Sequence, residues 1–91
     1  MLIKALVELI GTFVFLSVIL SSVGNPTSIG IALAAMILFG GAISGGHFNP
    51  AVTFMTTLNG SIDTTQAIVY VIVQLIGASL ALKFYKTNLV K

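Results

Sequence analysis

The sequence predicts an all-α membrane protein with three transmembrane helices and one re-entrant half-helix. Hydrophobic residues make up 57% of its 91 residues and charged residues only 7%, whereas about a quarter of the residues in soluble domains are charged. The mean hydropathy is +1.15. Apolar segments alternate with short polar turns, and one segment has about half the length that a bilayer crossing needs. We therefore expect an integral, multi-pass membrane protein that has the lipid bilayer as its first partner.

Composition also excludes several classes of function. The net charge of +2 comes from four lysines and two acidic residues, without any arginine, so the chain lacks the basic surface that nucleic-acid binding requires. The absence of cysteine rules out disulfides, thiolate metal sites and thiol catalysis. We expect no cofactor and no nucleic-acid partner.

The first predicted helix covers about residues 3–23, and its apolar part begins at Ala5. About 19 residues at about 1.5 Å each cross a hydrocarbon core of roughly 30 Å. A cleavable signal peptide is the alternative, because Lys4 precedes the apolar run. Glu8 inside the run and the further spans that follow favour a retained helix.

Two shorter segments follow. The cluster GNPTS, residues 24–28, predicts a tight turn, and a second helix is predicted at about residues 29–43, roughly 22 Å long and short of a full crossing. Residues 44–58 predict a re-entrant loop and half-helix, because about nine apolar residues from Pro50 reach only halfway across and must turn back. Asn49 is a preferred N-cap, and proline suits the first helical position.

The break before Asn49 has the chemistry of a solute path. Irregular backbone at membrane depth is tolerated only where protein buries it or where it lines a wet cavity. A half-helix that begins there repels cations and favours oxygen lone pairs, and a capping asparagine keeps its amide N–H groups free for a solute. The carbonyls of residues 45–48 can accept hydrogen bonds from that solute, and Gly45 and Gly46 permit a backbone that points them one way.

The last predicted helix covers about residues 65–85, again long enough to span. Asp63 and Gln66 are spaced as an N-cap pair that starts it. On this helix Gln74, with small residues after it, falls on one face, as Glu8 does with Gly and Thr on the first helix. We expect both faces to be helix contacts, with Gln74 as a structural partner.

Several ordered stretches resemble one family. They are ELIGTF at residues 8–13, GIALAAMILFGGAISGGHFNPAVTF at residues 30–54, which contains the central SGGHFNPAVT, and QLIGASLA at residues 74–81. Together they resemble the aquaporins and glycerol facilitators, the major intrinsic protein family. The resemblance covers nearly the whole chain as a single aquaporin-like repeat, residues 1–91.

The resemblance implies a passive channel for water and/or small uncharged solutes such as glycerol. The implied residue roles are the pore signature Asn49, Pro50 and Ala51; pore-lining carbonyls of Gly45, Gly46 and His47; and bracing of the loop by Glu8, with Gln74. An alternative for Glu8 is a protonated or proton-sensitive residue, because a carboxylate inside the membrane needs a partner.

The chain also departs from the family. Only the first of two inverted repeats is present, and the filter arginine that follows the second Asn-Pro-Ala has no counterpart. By repeat, its position corresponds to Val52, and a position that is usually aromatic corresponds to Ile29. These two residues are constriction candidates, and they predict a wider, less cationic filter whose exclusion of protons is weaker.

A single repeat leaves three arrangements open. The chain can pair with an inverted copy as a homodimer or within a larger oligomer, it can partner a longer aquaporin-like chain without conducting, or it can be a truncated fragment. Lys4 and Asp63 share one membrane face, and the lysines at positions 83, 86 and 91 share the other. This weak bias favours the C-terminal end inside. We expect it to permit insertion in both orientations.

Ser44, His47 and Asp63 are the residues that could suggest catalysis. A triad needs hydrogen-bond contact, and Asp63 lies in the turn a half-helix away. Glu8, His47 and Asp63 are the plausible metal ligands, and nothing in their spacing groups them. We expect neither catalysis nor a metal site.

Overall fold

The computed structural model describes residues 1–89, and the side chains of residues 1–87. Lys91, which entered the lysine bias, lies outside the described residues. Residues 1–89 form four helices and no strand: α1 Leu2–Ser21, α2 Pro26–Ser44, α3 Pro50–Leu58 and α4 Thr64–Leu89. The predicted all-α class is confirmed.

Three of these helices can cross a membrane by length and hydropathy. The candidate spans are Leu2–Ser21, Pro26–Ser44 and Thr64–Thr87, with 20, 19 and 24 residues. α3 has nine residues, roughly 13 Å of helix, so it reaches about halfway through a bilayer. The chain is an integral, multi-pass membrane protein with three spans and one half-length helix.

The predicted start of the second helix, residue 29, is wrong by three residues. α2 begins at Pro26, and the side chain of Asn25 accepts a hydrogen bond from the Ser28 N–H at 3.0 Å. Asn-Pro at residues 25–26 thus starts a helix, as Asn-Pro at residues 49–50 does. In both pairs asparagine is the N-cap and proline occupies the first helical position. The helix is consequently a full-length span rather than a short one.

The other boundaries differ less. α1 ends at Ser21 rather than residue 23, and α4 runs from Thr64 to Leu89 rather than from 65 to 85. Asp63 Oδ1 accepts a hydrogen bond from the Gln66 N–H at 2.8 Å. This contact caps the start of α4, because it satisfies a backbone donor that has no partner in the helix.

α1 lies between α2 and α4, and α3 packs on α4. α1 and α4 run in the same direction, since Glu8 contacts Gln74 and, farther along both helices, Phe13 meets Phe84 edge to face with ring centroids 5.9 Å apart. Gly77 permits the close approach, because a Cβ there would lie 3.0 Å from the backbone oxygen of Leu9.

The interior contains many polar side chains, and the outside is apolar. Buried polar side chains include Glu8, Thr12, Ser44, His47, Thr53 and Gln74. Large hydrophobic side chains cover the outer helix faces, among them Leu38 at 88% and Ile31 at 63% exposure. Such a surface suits contact with lipid tails. Because burial of apolar surface then contributes little to helix association, hydrogen bonds between the buried polar side chains stabilise the interior.

Candidate functional site

The loop between α2 and α3 has left-handed backbone at three residues. Gly45 and Gly46 have φ of 95° and 64°, and Phe48 has φ of 53°. This region costs glycine little and is uncommon for a bulky residue. Phe48 is 1% exposed, and its ring occupies the space over Gly11, where any Cβ would overlap it. The packing of the Phe48 ring therefore stabilises a loop conformation that the backbone preference of Phe48 does not favour.

The loop folds back along the helix that precedes it. A Cβ on Gly46 would lie 3.4 Å from Cα of Gly41, and one on Gly40 would lie 3.4 Å from the ring of Phe48. Both α2 glycines lie within the last five residues of that helix. The chain thus reverses direction after Ser44 and re-enters beside α2.

A single carboxylate holds this loop. Glu8 Oε2 accepts hydrogen bonds from the Ser44 hydroxyl at 2.8 Å and from the His47 backbone N–H at 2.9 Å. Oε1 accepts from the Phe48 backbone N–H at 2.8 Å and from the Gln74 amide at 2.9 Å. Glu8 is fully buried. The four donors satisfy both oxygens of this side chain, whose burial without hydrogen bonds would be very costly.

Gln74 connects this carboxylate to α3. Its Nε2 donates to Glu8 and also to Thr53 Oγ1 at 2.9 Å. Thr53 Oγ1 shares a further hydrogen bond with Nδ1 of His47 at 2.8 Å. The start of the half-helix is therefore tied to α1, to α4 and to the loop by buried side chains.

Tyr70 supports the same loop from α4. Its hydroxyl donates to the Ser44 carbonyl at 2.5 Å, which satisfies one of the last carbonyls of α2. Its ring meets the His47 ring edge to face, with centroids 5.1 Å apart. Tyr70 is completely buried, so its polar end needs the partner that Ser44 provides.

Asn49 begins the half-helix with its amide unused. Its side-chain oxygen accepts a hydrogen bond from the Ala51 N–H at 2.8 Å, and its amide N–H groups have no partner within residues 1–89. Asn49, Pro50 and Ala51 are all exposed. The tip of α3 thus presents two free donors at the positive end of a helix dipole.

The backbone carbonyls of residues 45–48 are four consecutive acceptors without a hydrogen-bond donor from the described chain. The Tyr70 hydroxyl binds the carbonyl of Ser44 just before this run, and the Thr53 N–H binds that of Asn49 just after it. No donor in the described part of the chain binds the four carbonyls between. Such groups at membrane depth are costly unless water reaches them.

This layer of contacts lies well inside the spans. Glu8 is six residues from the start of α1, and Gln74 is ten residues from the start of α4, roughly 9 Å and 15 Å along the helix axes. A hydrocarbon core is roughly 30 Å thick. The loop binds Glu8, and Thr53 in the first turn of α3 binds Gln74. The loop and Asn49 therefore lie roughly a third to a half of the way along the spans.

The two constriction candidates lie far apart. Val52 is in the first turn of α3, whereas Ile29 is in the first turn of α2. Ile29 is 15 residues from Ser44, where the loop begins, and this separation is roughly 22 Å. This chain does not bring the two residues together, and their part in a constriction stays a prediction.

The residues considered for catalysis are engaged separately. Ser44 Oγ donates to Glu8, the His47 ring contacts Thr53, and Asp63 is exposed at the start of α4. Among the described residues no three of His, Asp and Glu lie close enough together to hold a metal ion.

Sequence reasoning missed Thr53, Tyr70 and the anchoring role of Phe48. Thr53 has a local signal, since it lies within hydrogen-bond reach of the loop on the first turn of a half-helix. Tyr70 has none, because its partner is 26 residues away in sequence. The signal for Phe48 was the small residues of α1 and α2 that leave room for its ring.

Comparison with known proteins identifies the family. The sequence profile of the major intrinsic protein family matches residues 4–90. Glycerol uptake facilitator protein-like 6 of Lactiplantibacillus plantarum is 46% identical over 87 residues, which cover 86% of this chain and 40% of that protein. Aquaporin Z of Photorhabdus laumondii is 39% identical over 95 residues, with 89% and 41% covered.

One further relative matches a shorter part of the chain. The lens fiber major intrinsic protein of Ovis aries is 47% identical over 49 residues, which cover 54% of this chain and 19% of that protein. No solved structure matches the chain significantly. The chain spans about two fifths of the length of the bacterial relatives. The family is one of channel proteins rather than enzymes.

The resemblance that SGGHFNPAVT and its flanking motifs carried is therefore confirmed. The chain belongs to the major intrinsic protein family.

Proposed function

We propose that the chain forms one half of a passive channel for water and small uncharged solutes such as glycerol, and that an inverted second copy completes the pore. One observation carries the proposal. The unpaired carbonyls of residues 45–48 lead directly to the free amide of Asn49, so acceptors and donors follow one another at membrane depth. A wet path gives these groups the partners that lipid cannot give.

The site has the chemistry to pass neutral hydroxyl compounds. A water molecule or an alcohol donates its protons to the loop carbonyls and accepts from the Asn49 amide through its lone pairs. The positive end of α3 repels cations at the same point. The site contributes hydrogen bonds that replace hydration, so transport follows the solute gradient without a chemical step.

The second half has to come from another element. Asn49, Pro50 and Ala51 are exposed at the tip of α3, and the polar loop cannot face lipid tails. An inverted copy would place a second, identical tip against the first, which is the arrangement that inverted repeats use to build a site at mid-depth. The proposed roles of Ile29 and Val52 are at the constrictions of that composite pore.

A second candidate follows from the length of the relatives. The chain covers 40% and 41% of two of them, so a longer aquaporin-like chain, or a missing part of the same protein, is an alternative source of the second half. In that case the chain alone would not conduct. It would conduct, or alter conduction, only beside the longer chain.

Stopped-flow light scattering on proteoliposomes tests the proposal, with water and glycerol gradients run separately. Asn49→Asp is the informative variant, because aspartate is an equally good N-cap and keeps the half-helix start. It removes the amide donors and adds a charge. We expect fast water flux in the unchanged chain and flux near that of bare lipid in the variant.

Asn59→Asp is the matched control, since Asn59 is an exposed asparagine at the opposite end of α3. We expect its flux to equal that of the unchanged chain. Equal loss in both variants, or flux that survives Asn49→Asp, would refute the pore path. Folded protein that conducts only after a longer relative is added to the liposomes would favour the second candidate.

A further inference from the structure

A groove lies on the outer surface between α1 and α4. One part, about 410 Å³ in volume, is lined by Phe13, Leu80, Lys83, Phe84 and Thr87. An adjoining part of about 250 Å³ is lined by Leu9, Ile10, Phe13 and Leu80. The two parts share Phe13 and Leu80, so they lie next to each other along the surface. We name these seven residues the α1–α4 groove.

The groove has one polar end. Lys83 and Thr87 are exposed at the end of α4, and the remaining residues are aromatic or aliphatic. Thr87 lies two residues before Leu89, the last described residue of α4. Lys83 lies four residues before Thr87, roughly 6 Å along the axis, and a lysine near the end of a span extends its ammonium to the membrane surface.

The apolar end reaches toward the centre of the membrane. Leu9 precedes Phe13 by about 6 Å and Leu80 precedes Thr87 by about 10 Å, so the groove is roughly 16 Å long in the direction of the spans. One leaflet contributes half of a core of roughly 30 Å. The groove therefore has the depth of one acyl chain, with its charge at the level of a headgroup.

The charge of Lys83 has no counterpart in the described chain. The sequence has two acidic side chains. Glu8 already binds four donors in the interior, and Asp63 caps the opposite end of α4, 20 residues and roughly 30 Å away. Neither acidic side chain is therefore available to pair with Lys83, which leaves its ammonium free to bind a negative group from outside residues 1–89.

We propose that the α1–α4 groove binds one anionic phospholipid, with its phosphate on Lys83 and one acyl chain along Phe13 and Leu80 toward Leu9. Charge complementarity selects an anionic headgroup, and the apolar length selects a lipid over a free anion. The site lies on the outer helix faces, away from the Glu8 loop, so it does not depend on a conducting pore.

Native mass spectrometry of the full chain in a neutral detergent tests this site, with phosphatidylglycerol and phosphatidylcholine titrated separately. We expect one saturable phosphatidylglycerol per chain. Lys83→Gln should weaken it about fivefold, from the effect of one lysine near a membrane surface. Lys86→Gln is the matched control, because Lys86 is exposed but does not line the groove, and should change affinity less than about twofold.

A second variant tests the apolar part. Leu80→Trp keeps the charge and fills the groove at a side chain that is 45% exposed, so folding should survive while phosphatidylglycerol binding falls. Unchanged binding in both Lys83→Gln and Leu80→Trp would overturn the proposal. So would equal binding of phosphatidylcholine, or displacement of the lipid by inorganic phosphate at the same concentration.

An inverted copy is the remaining occupant to exclude, because its Asp63 would lie in the leaflet of Lys83. Asp63→Asn distinguishes the two cases. The lipid proposal expects no change in phosphatidylglycerol binding in this variant. Dissociation of a dimer by both Lys83→Gln and Asp63→Asn, with lipid binding unaffected, would assign the groove to a second copy and overturn the proposal.

Discussion

Glu8 gathers four donors from three separate parts of the chain, namely the end of α2, the loop and α4. We expect Glu8→Gln to lower the free energy of unfolding by about 3 kcal/mol, because the new NH₂ group faces two donors that then have no acceptor. Denaturant titration of the purified protein measures the loss. Amide hydrogen exchange at His47 and Phe48, which donate to Glu8, should accelerate.

Ser79→Ala is the control for that experiment. Ser79 is exposed on α4 and donates only to the Leu75 carbonyl of its own helix. We expect a change within about 0.5 kcal/mol, as for other surface substitutions. A Glu8→Gln protein with unchanged stability and unchanged exchange at the loop would show that the carboxylate is not what holds the loop.

At the scale of single residues, the sequence predicts some contacts and does not predict others. Glu8 and Gln74 are each expected on a helix contact face, because small residues accompany both and a carboxylate inside the membrane requires a partner. The Tyr70 contact with Ser44 could not be predicted, since nothing in an apolar run marks which aromatic residue turns its hydroxyl inward. Burial and pairing of such a residue depend on tertiary packing and not on local pattern.

At the scale of elements, the loop depends on a space that two helices leave for Phe48. A Cβ on Gly11 would overlap the Phe48 ring, so Gly11→Ala should destabilise the protein by about 1–3 kcal/mol through overpacking. Gly30→Ala is a matched control on α2, where a Cβ meets nothing within 4 Å. It should stabilise the helix by up to about 1 kcal/mol. Thermal unfolding in detergent compares the two.

A double substitution shows whether the ring is the cause. Phe48→Leu shortens the side chain that opposes Gly11, so Gly11→Ala should cost less in that background than in the unchanged chain. Coupling of about 1 kcal/mol is typical for residues in contact. Additive effects would mean that Gly11 matters for the helix itself and not for the loop.

Helix boundaries show why prediction of elements succeeds only in part. Length and hydropathy predicted all three spans and the half-helix. The start of α2 was misplaced because Gly24 and the Asn25–Pro26 pair read as a turn, although the same pair begins a helix. Asparagine and proline favour both structures, and the downstream apolar run decides between them.

At the scale of the whole molecule, three spans put the start of α1 and the end of α4 on opposite sides of the membrane. Val23, in the turn after α1, lies on the same side as the end of α4 and is 84% exposed. We expect Val23→Lys to add to the lysines already there and to favour one orientation. Val23→Gln, which adds polarity without charge, should leave the orientation unchanged.

Reporter fusions at each end of the chain measure this orientation in cells. We expect a mixture for the unchanged chain and for Val23→Gln, and a single orientation for Val23→Lys. If the pore needs two inverted copies, the osmotic water flux of Val23→Lys should be lower than that of the unchanged chain. The amount of folded protein should stay the same. Full flux from a single orientation would exclude the inverted dimer.

The hydrogen bonds of Glu8 also set an order of events during synthesis of the chain. Its partners follow it in the chain by 36 to 66 residues, a delay of about 2 to 13 seconds at about 5–20 residues per second. During that interval α1 holds a carboxylate that lipid cannot solvate. The complete set of hydrogen bonds to Glu8 can therefore form only after Gln74 in α4 has been synthesised.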